Sequence, residues 1–166
     1  MEINSKDQII NYFLSGAKKN FFIGVENEKF LFQEKNNVRA TYLDIKKIFE
    51  IFKKNFEWKE VKENESIVGL KIGGKSISLE PGNQIELSGD KLSNIHEVCS
   101  ESYDFQNKLD QACKELGLKT MSIGYDPITK LSNAPNNPKQ RYKLMTREMP
   151  KGGKLSLNMM YQTSGT

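Results

Sequence analysis

Four glutamates in two close pairs are the residues of this 166-residue chain best suited to do chemistry. Glu80 and Glu86 lie in residues 77–89, ISLEPGNQIELSG, which read as two short strands around a Pro81-Gly82-Asn83 turn. Alternation puts Ile77, Leu79, Ile85 and Leu87 on one face and Ser76, Ser78, Glu80, Gln84, Glu86 and Ser88 on the other. Glu26 and Glu28, inside the apolar stretch FFIGVENEKFLF, also share a side. Like charges held on one sheet face repel unless a proton or cation neutralises them, and oxygen ligands on a rigid surface suit Mg²⁺. The plain alternative is a solvated polar hairpin face, with the first strand bending to solvent at Gly24.

Acids that hold Mg²⁺ against nucleotide phosphates serve phosphoryl transfer, and a nearby arginine, Arg141 beside Tyr142, could clamp a carboxylate substrate. Neither a GxxxxGK[ST] loop nor a GxGxxG turn is present, so an ATP site would rest on metal ions and a sheet surface. Glycoside hydrolysis also uses paired acids, but it needs two rather than two pairs and favours aromatic sugar platforms; with one tryptophan it ranks lower.

The elements that must position these residues follow from local signals. Ser5 and Gln8 form a capping box for a helix reaching about Lys19, with an apolar stripe of Ile9, Ile10, Phe13 and Leu14. Residues 21–32 have strand composition. Thr41 caps a helix over 42–55 with Leu43, Ile45, Ile48, Phe49 and Phe52 on one face. Segments 58–63, 66–72, 76–80 and 84–88 form an antiparallel meander, with Gly73-Gly74 as one hairpin turn. A long helix starts at Asp90 or Ser93 and ends at Gly117, burying Ile95, Val98, Leu109, Cys113 and Leu116. A strand over 118–125, a Pro/Asn/Ser-rich loop over 126–138, a basic helix over 141–149 and a final strand over 155–163 complete the chain. No repeat or dividing linker is seen.

Composition narrows the function classes. With 37% hydrophobic and 28% charged residues the chain is globular. Its +4 net charge is interleaved with acids and forms no arginine-rich stripe, so a nucleic-acid partner has little support. The longest apolar run is too short to span a membrane, and the N-terminus lacks a secretory layout, which leaves the cytoplasm as the expected location. Cys99 and Cys113, fourteen residues apart, would lie about 21 Å apart along one helix and are read as reduced, partly buried thiols. The single histidine, His96, is read as packing in the first turns of that helix.

The stretches Gly24-Val25-Glu26-Asn27-Glu28-Lys29-Phe30 and Ser78-Leu79-Glu80-Pro81-Gly82-Asn83-Gln84-Ile85-Glu86-Leu87-Ser88-Gly89 closely resemble glutamate–cysteine ligase of the plant and proteobacterial type. The likeness continues in order through His96-Glu97-Val98-Cys99, 121–127, Arg141-Tyr142-Lys143-Leu144-Met145, Met149-Pro150-Lys151 and 157–160. The resemblance implies an α+β, glutamine-synthetase-like fold: a curved antiparallel sheet with helices on its outer side, here incomplete. It implies an ATP- and Mg²⁺-dependent enzyme that joins the γ-carboxylate of L-glutamate to the amine of L-cysteine through a γ-glutamyl phosphate, the first step of glutathione biosynthesis. Glu26, Glu28, Glu80 and Glu86 match the family's magnesium-binding acids, Arg141 and Tyr142 its glutamate-gripping region, and Thr163 falls at the substrate pocket. Asn83 and Gln140 stand where glycine is common. Gln162 and Gly165 stand where arginine and cysteine or threonine are frequent, so another amine substrate is the alternative. A non-catalytic relic is a further one. Family members are more than twice as long, so residues 1–166 are expected to be the N-terminal portion of one catalytic domain, inactive alone and left with an unpaired sheet edge.

Overall fold

The computed structural model describes residues 2–17 and 20–165. Its elements are α1 (Lys6–Leu14), β1 (Glu26–Gln33), α2 (Tyr42–Phe56), β2 (Lys59–Glu63), β3 (Ser66–Ile72), β4 (Lys75–Leu79), β5 (Ile85–Ser88), α3 (Ile95–Glu115), β6 (Leu118–Met121), α4 (Gln140–Glu148) and α5 (Ser156–Gln162). The described strands form one open six-stranded sheet in the order β2-β3-β4-β5-β1-β6, every pair antiparallel. The α+β class and the meander are as expected, but the helices are not confined to one side: α2 and α3 cover one face, while α4 and α5 pack together beside Glu80 and Gly82 on the other. The meander is followed in space by β1, which lies between β5 and β6.

Register decides which face each side chain takes, because directly paired residues share a face. Ile77 pairs with Leu87, which pairs with Asn27; Leu79 pairs with Ile85, which pairs with Lys29. These apolar rows face α2 and α3, where Ile45, Ile48, Phe49, Phe52, Phe105 and Leu109 close the main core. Helix α2 is fixed by a complete capping box between Thr41 and Asp44. Helix α3 stops at Leu116, and Gly117 at φ +64° takes the left-handed C′ position.

Several expectations are corrected. Strand β1 begins at Glu26 rather than residue 21: Phe21 is 90% exposed, and continuous pairing starts at Glu26 with Ser88. Helix α3 begins after Asn94, whose side chain accepts from the His96 and Glu97 amides, while Leu92 is held extended by a bridge to Ile23. Ile95 and Leu43, expected to be buried, are exposed, as are His96 and Cys99. Helix α1 ends at Leu14 and Lys19 lies outside the described residues; its apolar stripe is exposed throughout.

The largest correction is at the C-terminal end. Residues 156–162 are a helix because Leu157, Met160 and Tyr161 recur at helical spacing, and they pack with Tyr142 in a second small core. Of the expected strand only Thr163 is extended, bridged to Tyr125, and residues 164 and 165 follow it. They run beside β1, where the Glu28 amide donates to the Gly165 carbonyl at 3.0 Å. Strand β6 is likewise shorter than expected, stopping at Met121.

Candidate active site

The acid face of the sheet is built in rows. Glu28 pairs directly with Glu86, and Glu86 with Ser78; one row along, Glu26 pairs with Ser88 and Ser88 with Ser76. Glu80 follows β4 by one residue and accepts a 2.6 Å hydrogen bond from the Ser78 hydroxyl. All four glutamates therefore belong to the face opposite α2 and α3, as alternation predicted. A cleft of about 670 Å³ opens beside them, lined by Glu26, Glu86, Ser88 and the backbone of Gly24, Gly89 and Gly165.

Crowding shows in their protonation. Burial, followed by the charges of Glu80, Glu26 and Glu28, pushes the Glu86 carboxyl up to about 7. Burial also raises Glu28; the Gly165 amide opposes this, and the Glu80 charge adds to it. Lys139 comes close to Glu80, with Nζ 3.9 Å from Oε1, yet burial lowers its ammonium below the usual value.

The carboxylates share a face without meeting at a point. Among the described residues, no three acid, histidine or cysteine groups are gathered tightly enough to hold one ion as they stand. Two of the four are engaged within the chain: Gly165 N–H donates to Glu28 Oε2 at 2.6 Å, and the Tyr142 hydroxyl donates to Glu80 Oε2 at 2.6 Å. Burial and the Glu80 charge accordingly raise the Tyr142 phenol.

The turn that carries Glu80 toward Glu86 is tied from several sides. Glu80 N–H donates to the Gln84 carbonyl and Asn83 N–H to the Glu80 carbonyl. Asn137 Nδ2 donates to the Glu80 and Pro81 carbonyls, and Gln84 Nε2 to the Thr163 carbonyl. Asn83 has φ +60°, the left-handed region that glycine and asparagine tolerate best, which accounts for asparagine where glycine is common.

Arg141 is exposed and its guanidinium stacks 4.7 Å from the centroid of the Tyr142 ring, whose hydroxyl reaches Glu80. Thr163 is exposed, and its hydroxyl donates to the Met159 carbonyl at the end of α5. Arg39 and Asp126 had not been singled out. Their side chains are 2% and 0% exposed and form an ion pair at 3.0 Å behind the acid-bearing turn. The only local signal was Asp126 before Pro127, an Asx-turn pattern realised in its acceptance from the Ile128 and Thr129 amides.

Comparison with known proteins agrees with the site-bearing motifs. Residues 22–165 match the model of glutamate-cysteine ligase family 2 (GCS2). The chain is 38% identical over 161 residues to a chloroplastic glutamate–cysteine ligase A of Oryza sativa subsp. japonica, covering 96% of this chain and 33% of the rice protein. Chloroplastic glutamate–cysteine ligases of Medicago truncatula and Arabidopsis thaliana are each 37% identical over 96% of this chain, covering 32% and 31% of their own lengths. The chain thus spans about a third of the length of the curated relatives it matches. These relatives are chloroplastic by name, which overturns the expected cytoplasmic location. Lack of a secretory layout separates neither cytoplasm from plastid, because plastid transit segments are rich in Arg and Ser rather than built on an apolar stretch. Over 144 residues of matched family model, counted inclusively from 22 to 165, the chain belongs to glutamate-cysteine ligase family 2.

Proposed function

We propose that this chain forms the metal-binding and glutamate-binding part of an ATP-dependent ligase that joins the γ-carboxylate of L-glutamate to the amine of L-cysteine. The observation that carries the reading is Glu28 lying directly opposite Glu86 on a face shared with Glu26 and Glu80. The donor set fits Mg²⁺: it is all oxygen, on strands and the turn beside them, and burial together with the three neighbouring glutamates lifts Glu86 to about 7, a crowding of acids that a divalent cation would relieve. Glu26, Glu28, Glu80 and Glu86 would hold the metal, with Glu28 and Glu80 exchanging their bonds to Gly165 and Tyr142 for it. Bound there, Mg²⁺ offsets charge on the phosphoryl group being transferred from ATP.

The chain's own residues supply orientation. Arg141, stacked on Tyr142 beside Glu80, offers a forked donor for a glutamate carboxylate. Lys139, poorly solvated beside Glu80, adds positive charge where phosphate and carboxylate would meet. In the reaction, a γ-carboxylate oxygen of glutamate attacks the terminal phosphorus of ATP and ADP leaves. The cysteine nitrogen then attacks the acyl carbon, phosphate leaves, and the amine gives up a proton. The open antiparallel sheet, with α2 and α3 packed on the face away from the acids, supports a glutamine-synthetase-like relationship, and we read residues 1–166 as the N-terminal portion of such a catalytic domain. With the matched relatives about three times as long, turnover is expected to need residues outside this third.

Calorimetric titration of the chain with Mg²⁺ in the presence of L-glutamate tests the reading. Binding heat that falls at least about tenfold in affinity on Glu86→Gln or Glu28→Gln supports it. No heat with the unaltered chain, or heat unchanged by both substitutions, overturns it.

A further inference from the structure

We infer that Arg39 is a positioning residue that locks three separate parts of the acid site into one arrangement; the inference rests on the metal-site reading above for its functional meaning. Arg39 lies just after β1 and is 4% exposed. Its guanidinium donates from Nη1 to Asp126 Oδ2 at 3.0 Å and to the Tyr161 carbonyl at 3.4 Å, and from Nη2 to the Gly82 carbonyl. One flat face covers the Phe30 ring at 4.2 Å. No other side chain among the described residues is bonded to the acid-bearing turn, the segment after β6 and α5 together.

Each tether leads to a different part of the site. Gly82 stands between Glu80 and Glu86. Tyr161 leads within four residues to Gly165, which holds the Glu28 carboxylate. Asp126 opens the loop that ends at Lys139, Arg141 and Tyr142. The approach is close enough to dictate sequence. A Cβ on Gly82 would lie 2.8 Å from the Tyr161 carbonyl oxygen, 2.9 Å from Arg39 Nη2 and 2.9 Å from Gln84 Oε1. The turn therefore rests on the guanidinium and on α5 with no space for a side chain.

Planarity is what the position requires. Arginine offers several donors in one rigid plane and can stack on an aromatic ring while using them. A lysine would keep the charge beside Asp126 but could not span the Gly82 and Tyr161 carbonyls while lying flat on Phe30. Arg39 is buried away from any approaching substrate, so it acts through the groups it holds and through its charge, which opposes the rise of the Glu28 carboxyl and which lysine would keep.

The test is Arg39→Lys in the 166-residue chain, read by amide hydrogen exchange and by Mn²⁺ binding followed through the metal's electron paramagnetic resonance. The diagnostic amides are Asn83, which donates to the Glu80 carbonyl; Asp126, which donates to Gln162; Ser164, which donates to Gly124; and Glu28, which donates to Gly165. The expected result is exchange faster by about tenfold or more at these together, with less than about twofold change in α2 and α3. Mn²⁺ affinity should fall by about tenfold. Uniform acceleration through α2 and α3, or acceleration confined to Asp126, overturns the inference, since either describes an ordinary buried ion pair. If the unaltered chain binds no Mn²⁺ but the linked loosening occurs, the metal reading fails and the positioning role stands. If Mn²⁺ binds equally to both forms and exchange is unchanged, the positioning role fails and the metal reading stands. Should Arg39→Lys lose its cooperative melt, Gly82→Ala disturbs the same junction from the opposite side with the Arg39–Asp126 pair left intact, and the same pattern of amides decides.

Discussion

Glu86 shows how a single side chain reports on its surroundings. Its carboxyl rises from the usual 4.5 to about 7 through burial and then through three neighbouring glutamates. Without a divalent cation, the folded chain therefore holds a proton at Glu86 between those two pH values that the unfolded chain has already released. Stability linked to this group is fully present below 4.5 and is lost as pH rises toward 7. Glu86→Gln should lose this slope, matching the parent at acidic pH and melting above it at neutral pH. Thermal melts of both forms in a chelator across that window check the point; a parent that gains on the variant as pH rises would count against it. The acids were legible from sequence because strand alternation needs only local information. Arg39 was not, since its partners stand at positions 82, 126 and 161, and no local pattern announces a guanidinium shared among three such distant segments. Cys99, expected to be partly buried, is exposed, while Cys113 is buried and its thiol is pushed up to about 12.

Elements with strong local signals came through the sequence reading intact, and weaker ones did not. Thr41 with Asp44, the Gly73-Gly74 hairpin and Gly117 each fix a boundary through neighbours a few residues away. Residues 155–163 misled because an apolar run of this length fits strand or helix, and the choice is made by Tyr142, which gives the helical face of α5 something to pack on. The turn between β4 and β5 depends on such distant contacts as well. Gly82 has no need of unusual backbone angles; it is glycine because Tyr161, Arg39 and Gln84 occupy the space a side chain would take. Gly82→Ala should cost about 1–3 kcal/mol, the range for overpacking a filled site. Gly153→Ala, where nothing lies within 4 Å, should stay within about 0.5 kcal/mol of the parent. Urea denaturation of the two variants measures the contrast, and equal midpoints would show that the turn can shift without cost.

At the scale of the whole molecule, the described residues divide into a packed body and a helix with no buried residue. The body is the sheet with α2 and α3 on one face and the acids, α4 and α5 on the other. Helix α1 has the capping and periodicity of a stable amphipathic helix, with Ser5 accepting from the Gln8 amide. Yet it has no buried residue, and Tyr12 and Phe13 are each 74% exposed. The family match begins at residue 22, after α1. Periodicity alone reported that this segment has an apolar face; it could not report whether anything in the chain covers that face. Apolar area still in contact with water gives no stabilisation on folding, and a helix of nine residues is marginal by itself. Deleting residues 1–17 should therefore leave the melting temperature of the body within about 2 °C, because no contact of the main core is lost. It should also lower far-ultraviolet helicity only by the small share that α1 supplies. The deletion should leave Mg²⁺ binding at the acid face untouched, since β1, the 80–86 turn and residues 163–165 are all retained. A large fall in melting temperature would mean that α1 docks on the body in solution rather than standing free of it.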